Sequence, residues 1–156
     1  MAFAGDAEVL TEIAFKAKKH WGYPESYFDV WKDELTISSG YISKNIVYCA
    51  EWDEKIIGFY SIVFNPENFL TGEIFVEQGY WLEHIFIRPD FHRQGIGRKL
   101  INHAKKIAKS KNIEKLYVFV DPFAKGFYDK IKANFSRNSA SSIKGRNIPV
   151  YELAIE

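Results

Sequence analysis

The stretch Gly79–Leu100, GYWLEHIFIRPDFHRQGIGRKL, constrains this chain more than any other. Trp81, Leu82, Ile85, Phe86 and Ile87 form a run of aromatic, aliphatic and β-branched residues, too apolar for an outer edge, and predict an inner strand. Arg88-Pro89-Asp90 stops it, because proline cannot extend a ladder and pushes its predecessor out of the helical region. Arg93-Gln94-Gly95-Ile96-Gly97-Arg98 follows, and after it Leu100, Ile101, Ala104, Ile107 and Ala108 share one face at helical spacing, with lysines opposite. A strand that runs through a glycine loop into a helix N-terminus makes an anion site. Glycines let backbone N–H groups approach a ligand, and the helix dipole favours negative charge. Arg93 and Arg98 add cations, so the expected ligand is a phosphate or pyrophosphate. The alternative is a plain strand-to-helix turn whose glycines only relieve strain; the paired arginines and the preceding apolar strand favour the anion site. Neither G-x-x-x-x-G-K-[ST] nor the third glycine of a dinucleotide fingerprint is present.

A chain of 156 residues suits one domain, 1–156, with one core, and its 47% hydrophobic and 17% aromatic content argues against disorder. A net charge of +1 gives no pull toward nucleic acid or a membrane surface, and no apolar run approaches a membrane span. A nucleic-acid binder using the lysines between Lys99 and Lys111 is disfavoured on the same ground. The single cysteine, Cys49, excludes an internal disulfide and a cysteine metal cluster, and it reads as a buried structural thiol; no metal site is expected. With no signal-peptide pattern, a reducing, cytoplasmic setting is the expectation.

In chain order, Asp6 is the expected cap of a first helix that buries Leu10, Ile13, Ala14, Ala17 and Trp21. A second helix over Glu25–Leu35 is expected to bury Tyr27, Val30 and Trp31, with Ser38-Ser39-Gly40 as a loop. Ile46–Glu51 and Lys55–Phe64 read as a hairpin turning at Asp53-Glu54. Asn65–Gln78 reads as a long connection with a short strand at Glu73–Val76. After the organising stretch, Lys115–Val120 is a buried strand and Phe123–Ala133 a short helix closed by Asn134 in the left-handed conformation. Ser136–Lys144 is polar, and Ile148–Ile155 alternates as a closing strand. This order predicts a mixed α/β sheet with helices on both faces.

The segment through Gly95 and Gly97 resembles the acyl-CoA signature of the GNAT superfamily of N-acetyltransferases, R/Q-x-x-G-x-G/A, with His92 where the family usually has Arg or Gln. The resemblance implies a GNAT-type, mostly antiparallel central sheet whose first strand is missing or very short, since only Met1–Gly5 precedes Asp6. It implies acetyl-CoA as cosubstrate and direct acetyl transfer to an amine in a ternary complex, the acceptor being a small-molecule or peptide amine. Backbone at Ile85, Phe86 and Ile87 would then pair with the pantetheine arm, and the loop Arg93, Gln94, Gly95, Ile96, Gly97 and Arg98 would hold the pyrophosphate. A homodimer through the last strands is suggested by the same resemblance. A non-catalytic acyl-CoA-binding module is the alternative function; it would keep the loop but need neither Glu83 nor Tyr128.

Acetyl transfer to an amine needs a neutral amine, a stabilised carbonyl oxygen and a protonated leaving thiolate. Glu83, an acid in an apolar strand, is the first candidate base; its other reading is a half-exposed carboxylate bound to a neighbour. His84 is a second candidate base or a structural imidazole. Ala124-Lys125-Gly126-Phe127-Tyr128 resembles the family's A-x-x-F-Y element, which implies that the Tyr128 hydroxyl faces the thioester sulfur; otherwise Tyr128 is a core tyrosine. Asp121 stands where many relatives place a cofactor-touching asparagine, and it also reads as a helix cap. Lys18–Tyr23 and Ser141–Pro149 resemble segments of a GNAT subgroup. His20, Trp21, Tyr23 and Arg146 are the acceptor-site candidates by that fold position, with packing or surface roles as the alternative.

Overall fold

The apolar rows of the sequence become strands and helices largely where their periods predict. A computed structural model describes all 156 residues. The elements run α1 (Ala7–Lys19), α2 (Glu25–Leu35), α3 (Ser39–Lys44), β1 (Ile46–Trp52), β2 (Lys55–Asn65), β3 (Phe69–Thr71), β4 (Ile74–Val76), β5 (Gly79–Ile87), α4 (Ile96–Ser110), β6 (Lys115–Phe119), α5 (Lys125–Lys130), β7 (Asn134–Ala140) and β8 (Asn147–Ala154). Six strands form one sheet in the order β1-β2-β5-β6-β8-β7, and β3 with β4 forms a separate two-stranded ribbon. The sheet is mixed and mostly antiparallel. β5 and β6 run parallel, whereas β1–β2, β6–β8 and β7–β8 are antiparallel. No strand precedes α1. The Ala2 N–H bonds the Val47 carbonyl at 2.9 Å, tying the N-terminal residues to β1.

The chain groups into two compact units, Met1–Ile62 with His84–His103, and Val63–Glu83 with Ala104–Glu156. In the first, α1 buries Leu10, Ile13, Ala14 and Ala17, and α2 buries Phe28, Trp31 and Leu35. The Thr11 hydroxyl accepts the Ile37 N–H at 2.9 Å, fixing the exit of α2 against α1. The β1–β2 hairpin turns on Asp53 and Glu54, both left-handed at φ 52° and 63°, which matches the twist of the paired strands. In the second unit, Trp81 of β5 pairs with Tyr117 of β6, and its ring stacks on Tyr117 and Phe119 at 5.0 and 4.5 Å. Arg137 of β7 makes two bonds to Glu77, at 2.7 and 2.9 Å, and a third to the Phe75 carbonyl, tying β4 to β7.

Several expectations need correction. Asp6 does not cap α1 with its side chain; a 3-10 turn over Ala4–Asp6 comes first, and the Asp6 carboxylate takes the Phe3 N–H at 2.8 Å. Trp21 lies beyond the end of α1 and is 37% exposed. On α2, Val30 is exposed and Phe28 is buried, because the core-facing stripe runs 28, 31, 35. Ser38–Gly40 starts α3 rather than a loop: the Ser38 hydroxyl accepts the Tyr41 N–H at 3.0 Å, as an N-cap does. Gly72, at φ +60°, is the turn between β3 and β4, so the expected connection holds two strands. The helix expected over Phe123–Ala133 is a 3-10 turn at Pro122–Ala124 followed by the six-residue α5. Lys132, at φ 61°, takes the left-handed position expected of Asn134, which opens β7. Most of the polar stretch after it is therefore strand. β7 pairs on one side with β8 and lies at the sheet's end, where polar residues suit an edge.

Two outcomes follow from this packing. A Cβ added at Gly58 would lie 2.9 Å from the Phe86 carbonyl oxygen and 3.3 Å from Ile87 Cγ1. Gly58→Ala should lower unfolding free energy by about 1–3 kcal/mol in urea titration, and a neutral effect would mean that β2 and β5 can separate at no cost. Burial alone would raise the Glu77 carboxyl, but the bonds and charge of Arg137 outweigh it and leave it below its usual range. A carboxylate lowered in the folded state stabilises above its unfolded pKa, about 4.3, and loses that contribution as pH falls through the folded value. The Tm gap between wild type and Arg137→Gln should be constant from pH 6 to 8 and shrink below about pH 4.

Candidate active site

β5 presents two hydrogen-bonding edges, and its even-numbered residues address β2. The Arg88 N–H bonds the Ile57 carbonyl at 2.7 Å, the Phe86 carbonyl abuts Gly58, and the His84 N–H bonds the Ser61 hydroxyl oxygen at 3.1 Å. Because successive residues of a strand point their backbone groups to opposite edges, Ile85 and Ile87 direct theirs away from β2. The Ile87 carbonyl accepts the His92 Nε2–H at 2.9 Å. Of the expected pantetheine-pairing residues, Ile85 and Ile87 thus carry the outward backbone groups, with one Ile87 lone pair already engaged, and Phe86 faces β2.

Beyond β5 the chain makes a 3-10 turn at Pro89–Phe91, then a sharp bend. Arg93 and Gly95 are both left-handed, at φ 61° and 78°. α4 starts at Ile96, and its first ladder bond runs from the Lys99 N–H to the Gly95 carbonyl at 3.1 Å. The N–H groups of Ile96, Gly97 and Arg98 precede that bond and have no partner within the helix. Gln94 makes a long bond of 3.4 Å to the Asp90 carbonyl, and the side chains of Arg93 and Arg98 are exposed. Convergent backbone donors, a helix dipole and two flanking guanidinium groups fit the diphosphate of a coenzyme A thioester.

His92 points away from the loop's bend. Its ring is turned back to the Ile87 carbonyl and packs edge-on against His20 at 5.0 Å and in stacked fashion on Trp21 at 6.0 Å. Two acceptor-site candidates, His20 and Trp21, are thereby brought to His92 at the root of the Arg93–Arg98 loop. Tyr23 instead packs with Tyr27 and Trp31 of α2, at 5.9 and 5.0 Å. Arg146 lies in the other unit, with Nη2 3.8 Å from Asp121 Oδ2 and both side chains mostly buried. Asp121 also caps its own turn, its carboxylate accepting the Phe123 N–H at 3.0 Å. The guanidinium offsets the negative charge that would make Asp121 a poor neighbour for an anionic ligand.

The two candidate bases have opposite environments. Glu83 is exposed on β5, whereas His84 is buried with both ring nitrogens engaged. Its Nε2–H donates to the Glu34 carbonyl at 2.8 Å, and Nδ1 lies 2.8 Å from the Ser61 hydroxyl and 3.1 Å from that of Tyr41. The Tyr41 and Ser61 hydroxyls are themselves 2.8 Å apart. His84 is thus enclosed by Glu34, Ser61 and Tyr41, whereas Glu83 is exposed.

Tyr128 lies on α5, 3% exposed, with its ring against Phe127 and Tyr151 at 5.3 and 6.2 Å. Burial alone pushes its phenol well above the usual value. Cys49 is half-buried and its thiol is pushed up to about 11, by burial first and by the Asp6 charge second, which unsuits it as a nucleophile. No three His, Cys, Asp or Glu side chains gather into a metal-binding set, and no helix is long and apolar enough to cross a membrane.

Sequence reasoning missed Ser61, Tyr41, Asp129 and Tyr151. Ser61 had a visible signal, as the one hydroxyl in the apolar run Ile56–Phe64 that is neither aromatic nor at an end. The bond from Tyr151 to Asp129 spans 22 residues and left no local trace.

Solved structures of the same fold cover nearly the whole chain. A GCN5-related N-acetyltransferase from Rhodopseudomonas palustris is 18% identical, with 98% of this chain and 92% of that one covered and a TM-score of 0.76. The PaiA N-acetyltransferase of Thermoplasma acidophilum, solved with coenzyme A, is 20% identical over 98% of this chain and 95% of that one, at a TM-score of 0.69. The ribosomal-protein-S18-alanine N-acetyltransferase of Escherichia coli is 18% identical over 99% and 90%, at a TM-score of 0.64. A comparison with curated proteins finds no match. Residues 9–132 match the model of the acetyltransferase (GNAT) family. The chain therefore belongs to the GNAT family and is an acetyltransferase whose cosubstrate is acetyl-CoA.

Proposed function

We propose that the protein acetylates a primary amine, on a small molecule or a peptide, by direct attack of that amine on the thioester in a ternary complex. The observation that carries this reading is the left-handed bend at Arg93 and Gly95 that opens α4 with helix-start backbone donors and two exposed arginines, a shape that suits a diphosphate. The high pKa of the Cys49 thiol argues against a covalent acetyl-enzyme on cysteine. The similar structures named above include one that acts on a protein alanine, whose acceptor group is an amine.

Each group has a defined task. The loop amides, Arg93 and Arg98 hold the diphosphate, and the outward backbone of Ile85 and Ile87 aligns the pantetheine arm. The Ile85 N–H is the donor for the carbonyl oxygen as charge builds on it. An amine near a reference pKa of about 10.4 costs roughly 4–5 kcal/mol to neutralise at pH 7, and Glu83, directly or through water, takes that proton. The new N–C bond forms as the C–S bond breaks, and the thiolate receives the Tyr128 hydroxyl bond. From reference values, full transfer from a phenol near 10 to a thiolate near 8.5 is uphill by roughly 2 kcal/mol. Burial raises Tyr128 further, so a hydrogen bond that tightens with the forming thiolate is its main contribution.

Tyr128→Phe should lower kcat by about a hundredfold while the KM for acetyl-CoA stays within about twofold, measured by thiol release across an amine panel. Unchanged turnover would remove Tyr128 from the mechanism. Arg93→Gln and Arg98→Gln should each weaken coenzyme A binding by about tenfold in calorimetry and flatten its salt dependence. Wild-type affinity in both would place the diphosphate elsewhere.

A further inference from the structure

α5 is only six residues long, too short to hold its own shape in water, so something outside it must fix where Tyr128 sits. The structure supplies one anchor. The Tyr151 hydroxyl donates to Asp129 Oδ1 at 2.7 Å, and Lys125 Nζ bonds the other oxygen of the same carboxylate at 2.8 Å. Asp129 is the residue directly after Tyr128. Tyr151 is 1% exposed and sits on β8, paired opposite Val118 of β6 on one side and Phe135 of β7 on the other. Its backbone is thus held on both edges, and its ring lies 6.2 Å from that of Tyr128. At the end of the helix the Ala133 N–H bonds the Tyr128 carbonyl at 3.0 Å, so a shift at Asp129 would carry the backbone of Tyr128 with it.

We propose that Tyr151 and Asp129 are positioning residues that register α5 on β8 and so fix the Tyr128 hydroxyl for the leaving thiolate; this rests on the reading of Tyr128 given above. The pair touches no substrate. It acts through the rigid, doubly paired strand, which transmits one fixed point to a helix that has little stiffness of its own. A hydroxyl displaced by about 1 Å loses much of its effect on a forming charge, whereas binding of the cosubstrate through the Arg93–Arg98 loop is unaffected.

The test is a kinetic cycle on the full chain with acetyl-CoA and an accepted amine. Tyr151→Phe keeps the ring and removes only the hydroxyl, and it should lower kcat roughly tenfold with the KM for acetyl-CoA unchanged. In the Tyr128→Phe background the same substitution should have no further effect, because its path runs through the missing hydroxyl. Asp129→Ala removes the same bond from the exposed side of the helix and should give the same pattern, which covers a Tyr151 variant that folds poorly. Equal fold losses in both backgrounds, or wild-type kcat for Tyr151→Phe and Asp129→Ala alike, would overturn the proposal. Wild-type kcat for Tyr128→Phe would be a separate outcome: it would remove the reading of Tyr128 and the positioning role together.

Discussion

A β-strand has two edges of backbone donors and acceptors, and the use made of each edge of β5 organises the rest of this structure. Its even residues His84 and Phe86, and Arg88 just past its end, are engaged with β2. That leaves the odd residues Ile85 and Ile87 facing the other way, at the point where the strand runs into the bend of Arg93–Gly95 and the start of α4. A ligand held as proposed would meet the backbone of Ile85 and Ile87 at one end and the start of α4 at the other. The proposed site is thus mostly main chain. Side chains such as His92 and Arg88 serve to hold that main chain in place: His92 grips the Ile87 carbonyl, and Arg88 bonds the Ile56 carbonyl and Glu12.

Polar groups buried near β5 follow the same logic. Tyr41, Ser61 and His84 satisfy one another and the Glu34 carbonyl, and no buried side-chain atom is left without a partner. A buried imidazole saturated in this way is stiff and keeps one tautomer. It fixes the residue between Glu83 and Ile85, which carry the proposed proton acceptor and carbonyl donor.

How much of this was legible in the sequence depended on whether the signal was local. The glycine loop, the apolar strand before it and the helix after it appear where the residue types demand, and α2 begins and ends at Glu25 and Leu35 as its pattern predicts. The hairpin of β1 and β2 was equally plain, because its turn and its two apolar runs are adjacent. β7 was not, since NFSRNSA carries the polarity of an edge and lacks a strand's apolar alternation. α3 was hidden by a Ser-Ser-Gly opening that reads as a loop until the Ser38 cap is seen. On the site, the loop residues and Tyr128 came from motifs, whereas the convergence of His20 and Trp21 on His92 and the Tyr151–Asp129 bond depend on tertiary approach, which no short window encodes.

The half-buried Cys49 has a practical consequence for anyone following the reaction with a disulfide dye. With its thiol pushed up to about 11, only on the order of 0.1% of it is ionised near pH 8, and the ionised form is the one that reacts. The enzyme's own sulfur should stay silent over the minutes of an assay, so colour reports liberated coenzyme with little blank correction even when the protein is present at high concentration.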